Sequence, residues 1–168
     1  MIEIIFETEK DNIFDFDYEE VAKRVIDESL KVEKCPLKVY VCITIVDAKA
    51  IREINNSSRN IDSATDVLSF PNLDYNEPSD FNIDEEELEF CTDPETGEVI
   101  LGDIVINYER VLSQAEEYNH SAKREFAFLV AHSMMHLCGY DHMTEDEATI
   151  MEGKQELILN NLGITRDK

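Results

Sequence analysis

Residues 131–142 read A-H-S-M-M-H-L-C-G-Y-D-H and hold three of the chain's four histidines, His132, His136 and His142. On a helix, a four-residue offset places the first two imidazoles on one face, one turn apart. Gly139 predicts the end of that helix, because glycine takes the left-handed cap conformation without a Cβ penalty. The chain then doubles back and carries His142 to the same point. Three neutral imidazoles with no fourth protein ligand describe a catalytic zinc site, since structural zinc sites are closed by four. A metal held this way lowers the pKa of a water to about 7. Cys138, two residues past His136, lies about 200° round the helix from it and is expected to pack away from the metal.

Outward from this stretch, residues 126–131 are apolar on every side. A helix from Ser121 to Leu137 is therefore predicted to be the buried centre of the fold. Further helices are predicted from Tyr18 to Lys34, from an Asp47 cap to about Asn56, from Tyr108 to Tyr118, and from Glu145 to Asn161 with a stop at Gly163. Strands are predicted at Ile2–Phe6, Leu37–Val46, Thr65–Phe70 and Val99–Asn107. This interleaving favours an α+β domain with a small four-stranded mixed sheet packed on helices. A doubly wound parallel sheet is the alternative.

A length of 168 residues, 43% of them hydrophobic, predicts a single catalytic domain over 1–168. No apolar run approaches a membrane span, and acidic residues stand where a signal peptide carries basic ones, so a cytoplasmic protein without a membrane partner is expected. Four cysteines with no C-x-x-C pair fit reduced thiols. The formal net charge of −23 excludes a general nucleic-acid binder and confines any anion-binding surface to a local patch. Residues 72–98 hold eleven acidic side chains and no Lys or Arg. With Pro78, Pro94 and Gly97 among them, they are expected to form a surface loop or partly disordered insertion.

The H-x3-H-x5-H spacing equals that of the metzincin peptidases, with Gly139 at their glycine. Their general base, however, is a Glu directly after the first histidine. Ser133 stands there in this chain and cannot take a proton at neutral pH without a base of its own, which argues against peptidase chemistry. Arg59, ahead of T-D-V-L-S-F-P at 65–71, suits a phosphodiester instead. Its planar guanidinium can hold two oxygens and offset transition-state charge. Asp103 and Asp141 are candidates for orienting a ligand histidine, and His120 is expected at the surface.

Taken together, R-x5-T-D-V-L-S-F-P, L-G-D-I at 101–104, R-E at 124–125 and H-x3-H-L-x-G-Y-D-H resemble the YbeY family of bacterial metal-dependent endoribonucleases, over most of the chain and in the same order. The resemblance implies a zincin-like α+β fold, one zinc ion on His132, His136 and His142, and Arg59 at the RNA backbone or reacting phosphate. It also implies cleavage of single-stranded RNA, with roles in maturing the 3′ end of small-subunit (16S) ribosomal RNA and in ribosome quality control. The partner is then ribosomal RNA or the small ribosomal subunit. Departures from the family pattern are Ser58, Asn60 and Ile61 around the arginine, where an aromatic and Gly-Lys are usual, and Ser133 in place of glycine. Two rivals stay open: a metal-dependent hydrolase of peptides or esters on the same scaffold, and a non-catalytic ribosome-assembly module that keeps zinc for stability.

Overall fold

The computed structural model describes residues 1–8 and 12–165. Along the chain run β1 (Ile2–Phe6), α1 (Tyr18–Val32), β2 (Val39–Val46), α2 (Ala48–Arg59), β3 (Val67–Pro71), α3 (Glu85–Cys91), β4 (Val99–Asn107), α4 (Tyr108–Glu117), α5 (Ala122–Leu137) and α6 (Glu145–Asn161). The sheet order is β1-β2-β4-β3. β1, β2 and β4 are parallel, and β3 closes one edge antiparallel to β4. The architecture is thus α+β with a mixed sheet. Among the described residues no helix is long and apolar enough to cross a membrane.

Helix boundaries follow from caps legible in the sequence. Asp17, Asp47 and Ser121 accept hydrogen bonds from backbone N–H groups of the first turns of α1, α2 and α5. Thr144 and Glu147 form a reciprocal capping box on α6. α5 is buried on nearly every side because helices α1, α4 and α6, strand β3 and the sheet surround it. Phe126, Val130, Met134 and Leu137 have no exposed surface. Each such side chain contributes roughly 1.5–3 kcal/mol through burial. Alternation along β4 sends Ile104 and Ile106 to this main core and Val105 to a smaller one under α2, with Val46, Ile51 and Leu68.

Gly102 marks where β3, β4 and the end of α5 crowd together. A Cβ there would sit 2.5 Å from Phe70 O and 2.7 Å from Leu137 Cδ2. The β2–β4 register slips beside it, as at a bulge that bends one strand.

The acidic segment departs from expectation. It contains α3, capped by Asp84, and its Leu73 and Cys91 are buried. Asn72 ties it to β4 through Leu101 O and Ile100 O. Average composition hides this arrangement, because a few spaced apolar anchors fix the segment while most of its carboxylates point to water; Glu98, buried against the N-terminal ammonium, is an exception.

Candidate metal centre

His132 and His136 share one face of α5, and Gly139 ends the helix in the left-handed region at φ +96°. The reversal brings His142 back, and one ligand atom from each histidine lies within 4.8 Å of the others. His132 Nε2 and His136 Nε2 are 3.2 Å apart. Two nitrogens on a tetrahedral ion at about 2.05 Å would be separated by about 3.3 Å, so the donor set fits a zinc-sized cation.

The remaining ring nitrogens settle which atoms face that point. His136 Nδ1 lies 3.0 Å from Tyr140 O. A carbonyl can only accept, so Nδ1 carries the proton and the Nε2 lone pair points inward. His132 Nδ1 lies 2.6 Å from the Gln155 side-chain amide, with Nε2 nearest. A half-turn of that amide exchanges Nε2 for Oε1. With oxygen facing the ring, His132 too presents a bare Nε2. Gln155 comes from α6 and is 1% exposed. Sequence analysis missed it, because a glutamine 23 residues past His132 carries no spacing signal.

Burial pushes the His132 pKa down to about 4, with His136 and His142 adding to the effect and Asp66 opposing it. Burial lowers His136 as well, against the hydrogen bond to Tyr140 O. Both rings are therefore neutral at pH 7, the form that ligates metal.

A cleft of about 580 Å³ holds the three histidines together with Arg59, Asp66 and Asp141. Arg59 is the last residue of α2 and exposed. Asn60, left-handed at φ 57°, turns the chain directly after it. Arg52 bonds Asp62 through two nitrogens and pins that turn. Ser133 is fully buried and accepts a hydrogen bond from Ser69 Oγ at 2.8 Å, locking β3 onto α5.

Three expectations are corrected. Asp103 lies on the sheet face opposite Ile104 and Ile106, beside Cys42, so it cannot orient a histidine. Asp141 accepts from its neighbour's backbone, His142 N, at 2.8 Å rather than from a ring nitrogen. His120 is not at the surface: its side chain is 5% exposed and meets Glu125 Oε1 at 2.7 Å. Cys138 behaves as expected, wholly buried with its thiol pKa pushed up by desolvation.

The acidic segment braces the turn that delivers His142. Tyr75 packs on Gly139, where a Cβ would approach its ring to 2.9 Å. Its hydroxyl donates to Leu137 O at 2.7 Å, and Ser79 N donates to Cys138 O at 2.7 Å. Two carbonyls left unpaired by the end of α5 are satisfied in this way. Ser79 Oγ and Tyr140 Oη both donate to the buried Glu33, which also pairs with Lys154 at 3.0 Å.

Fold and donor set together define an α+β protein with a three-histidine cluster able to hold a metal ion, on a buried helix and the turn after it. The profile of the family described as endoribonuclease YbeY matches residues 3–163. Proteins named endoribonuclease YbeY from Lachnospira eligens and Agathobacter rectalis are 52% and 54% identical, covering 97% and 91% of this chain and 99% and 93% of their own lengths. A Thermotoga maritima protein whose solution structure is known shares the fold, with a TM-score of 0.55 at 23% identity over 96% of this chain and 91% of that one. The chain belongs to the endoribonuclease YbeY family, a family of hydrolytic, metal-dependent nucleases.

Proposed function

We propose that this protein is a zinc-dependent endoribonuclease of the cytoplasm. It cuts single-stranded RNA in maturing the 3′ end of small-subunit (16S) ribosomal RNA and in ribosome quality control. The observation that carries this is the convergence of three imidazoles beside an exposed arginine in one cleft. His132, His136 and His142 are the ligands for one zinc ion. That ion would supply Lewis acidity and lower the pKa of a water. Tyr140 O holds His136 in the ligating tautomer, and the Gln155 amide does the same for His132 once its oxygen, rather than its nitrogen, is turned to Nδ1. Arg59 grips non-bridging oxygens of the phosphodiester and strengthens that grip as negative charge builds in the transition state. A net charge of −23 makes this local cation the point of entry for an otherwise repelled chain.

The test pairs metal analysis with cleavage. Purified protein is expected to hold about one equivalent of zinc and to cut single-stranded RNA in preference to duplex. Chelation or His136→Ala should abolish both the metal and the cutting. Arg59→Ala should keep metal and melting temperature while cleavage falls roughly 10²-fold, as for loss of one preorganised oxyanion donor. Arg59→Lys should recover part of the rate, since an ammonium keeps the charge without the two-pronged geometry. Turnover of a peptide or ester with RNA untouched would replace this function with the rival hydrolase.

A further inference from the structure

A cavity of about 570 Å³ lies between α4, α5 and α6, within the size range of small-ligand sites. It adjoins the metal centre on two sides. Asp66 belongs both to its wall and to the cleft holding Arg59 and the histidines. Phe128 and Glu152 belong both to its wall and to a recess of about 310 Å³ that reaches His132 and His142.

A string of polar side chains runs along this cavity. His120 Nε2 meets Glu125 Oε1 at 2.7 Å, and Gln114 Nε2 donates to Glu125 Oε2 at 2.7 Å and reaches Asp66 Oδ2 at 3.4 Å. Glu125 is 2% exposed, and burying such a carboxylate carries a large desolvation cost even when it is paired. The other ring nitrogen of His120, Nδ1, is buried with no hydrogen-bond partner among the described residues. An unsatisfied buried nitrogen in a cavity wall is a feature that hydrophobic packing alone does not explain.

The charge of the cavity restricts what enters it. Carboxylates outnumber cations in its wall. Two nitrogens of Arg124 are held, by Ile164 O at 2.9 Å and Glu156 Oε1 at 3.0 Å, which leaves only its buried Nε without a partner among the described residues. A phosphate is repelled here and favoured at Arg59. A polynucleotide laid across the metal centre therefore places only an uncharged part in the cavity. Tyr118 and Phe128 supply aromatic faces of the kind on which bases stack.

We propose that this cavity receives the nucleobase next to the cut phosphodiester and selects bases bearing an exocyclic amino group over uracil. The proposal rests on the RNA-cleaving function above. A carboxylate only accepts hydrogen bonds. An amino group on adenine, cytosine or guanine satisfies it, whereas uracil turns two carbonyl oxygens toward it around a single N–H. Glu152, exposed on α6, is the acceptor that can meet the base without disturbing the core.

The test uses the metal-loaded full chain on a single-stranded RNA pool of random sequence, with the cut ends sequenced. Uridine is expected to be depleted about tenfold at one position flanking the cut. Glu152→Gln, whose amide both donates and accepts, is expected to bring that depletion to threefold or less at unchanged melting temperature. A profile without uridine depletion, or one that Glu152→Gln leaves unaltered, overturns the proposal. If no RNA is cut at all, the RNA-cleaving function fails instead, and nucleoside titration still decides the cavity. Cytidine shifting the NMR signals of Tyr118 and His120 more than uridine does supports a base site; no shift with either nucleoside overturns it.

Discussion

At the scale of single residues, the site depends on groups that fix hydrogen positions as much as on the ligands. Tyr140 O and Gln155 each face a histidine Nδ1, and a ring held in the wrong tautomer cannot present Nε2 to a metal. Gln155→Leu removes the acceptor for one ring while filling a similar volume. It is expected to weaken zinc binding by roughly 10–100-fold, the usual effect of losing a group that orients a ligand. Gln155→Glu keeps an acceptor and is expected to retain most of the affinity. Competition against a fluorescent chelator measures both, and equal affinities for wild type and Gln155→Leu would reduce the glutamine to a packing role. The R-E pair at 124–125 illustrates the opposite case. Arg124 is buried and holds Ile164 O and Glu156, so one member of a motif that resembles functional machinery ties down the end of α6.

At the scale of elements, the acidic segment is the finding that composition concealed. Its start lies over the end of α5, with Tyr75 against Gly139 and Ser79 on Cys138 O. Tyr75→Ala uncovers that turn and leaves Leu137 O without its donor. It should cost on the order of 2 kcal/mol, from lost aromatic burial and one hydrogen bond. Zinc affinity is expected to fall with it, because the same turn carries His142. Tyr75→Phe restores the ring but not the hydroxyl and should cost only about 1 kcal/mol. Urea denaturation with and without metal separates the two effects. A Tyr75→Ala protein as stable and as tight for zinc as wild type would show that the segment merely lies alongside. β3 adds a second element-scale constraint: the Ser69–Ser133 bond and the bare Gly102 bring the edge strand down onto α5, which sets the width of the cleft.

At the scale of the whole molecule, stability and metal content are linked to pH through the same buried rings. In metal-stripped protein the folded pKa of His132 is about 4, against an ordinary value of 6.5. Below pH 6.5 the unfolded chain binds a proton that the folded chain refuses. The stabilisation from keeping this ring neutral is present above 6.5 and lost as pH falls toward 4. The loss is on the order of 2–3 kcal/mol, and His136 contributes in the same direction. The denaturation midpoint of stripped protein should drop between pH 7 and pH 5, and His132→Phe should blunt the drop. A midpoint unchanged over that range in wild type would sink the linkage. Zinc-loaded protein should resist acid until protons displace the ion.

The sequence by itself determined the elements outside the acidic segment, where it missed α3, and the histidine spacing of the candidate metal site. Local chemistry governs both: capping residues place helix ends, alternation marks strands, and the 3.6-residue period aligns His132 with His136. For that reason α6 begins at Glu145 and ends at Asn161, and β4 runs from Val99 to Asn107, as their sequences predict. Only the tertiary structure decided what depends on residues far apart in the chain. Gln155 reaches His132 across 23 positions, and Tyr75 reaches Leu137 across 62. Asp103 and Asp66 are both aspartates on or beside strands, yet the first faces away from the metal helix and the second lines its cleft. His120 looked like a surface residue until α4 and α5 closed over it. Such contacts are set by how helices and sheet pack in three dimensions, and no period or spacing along the chain encodes them.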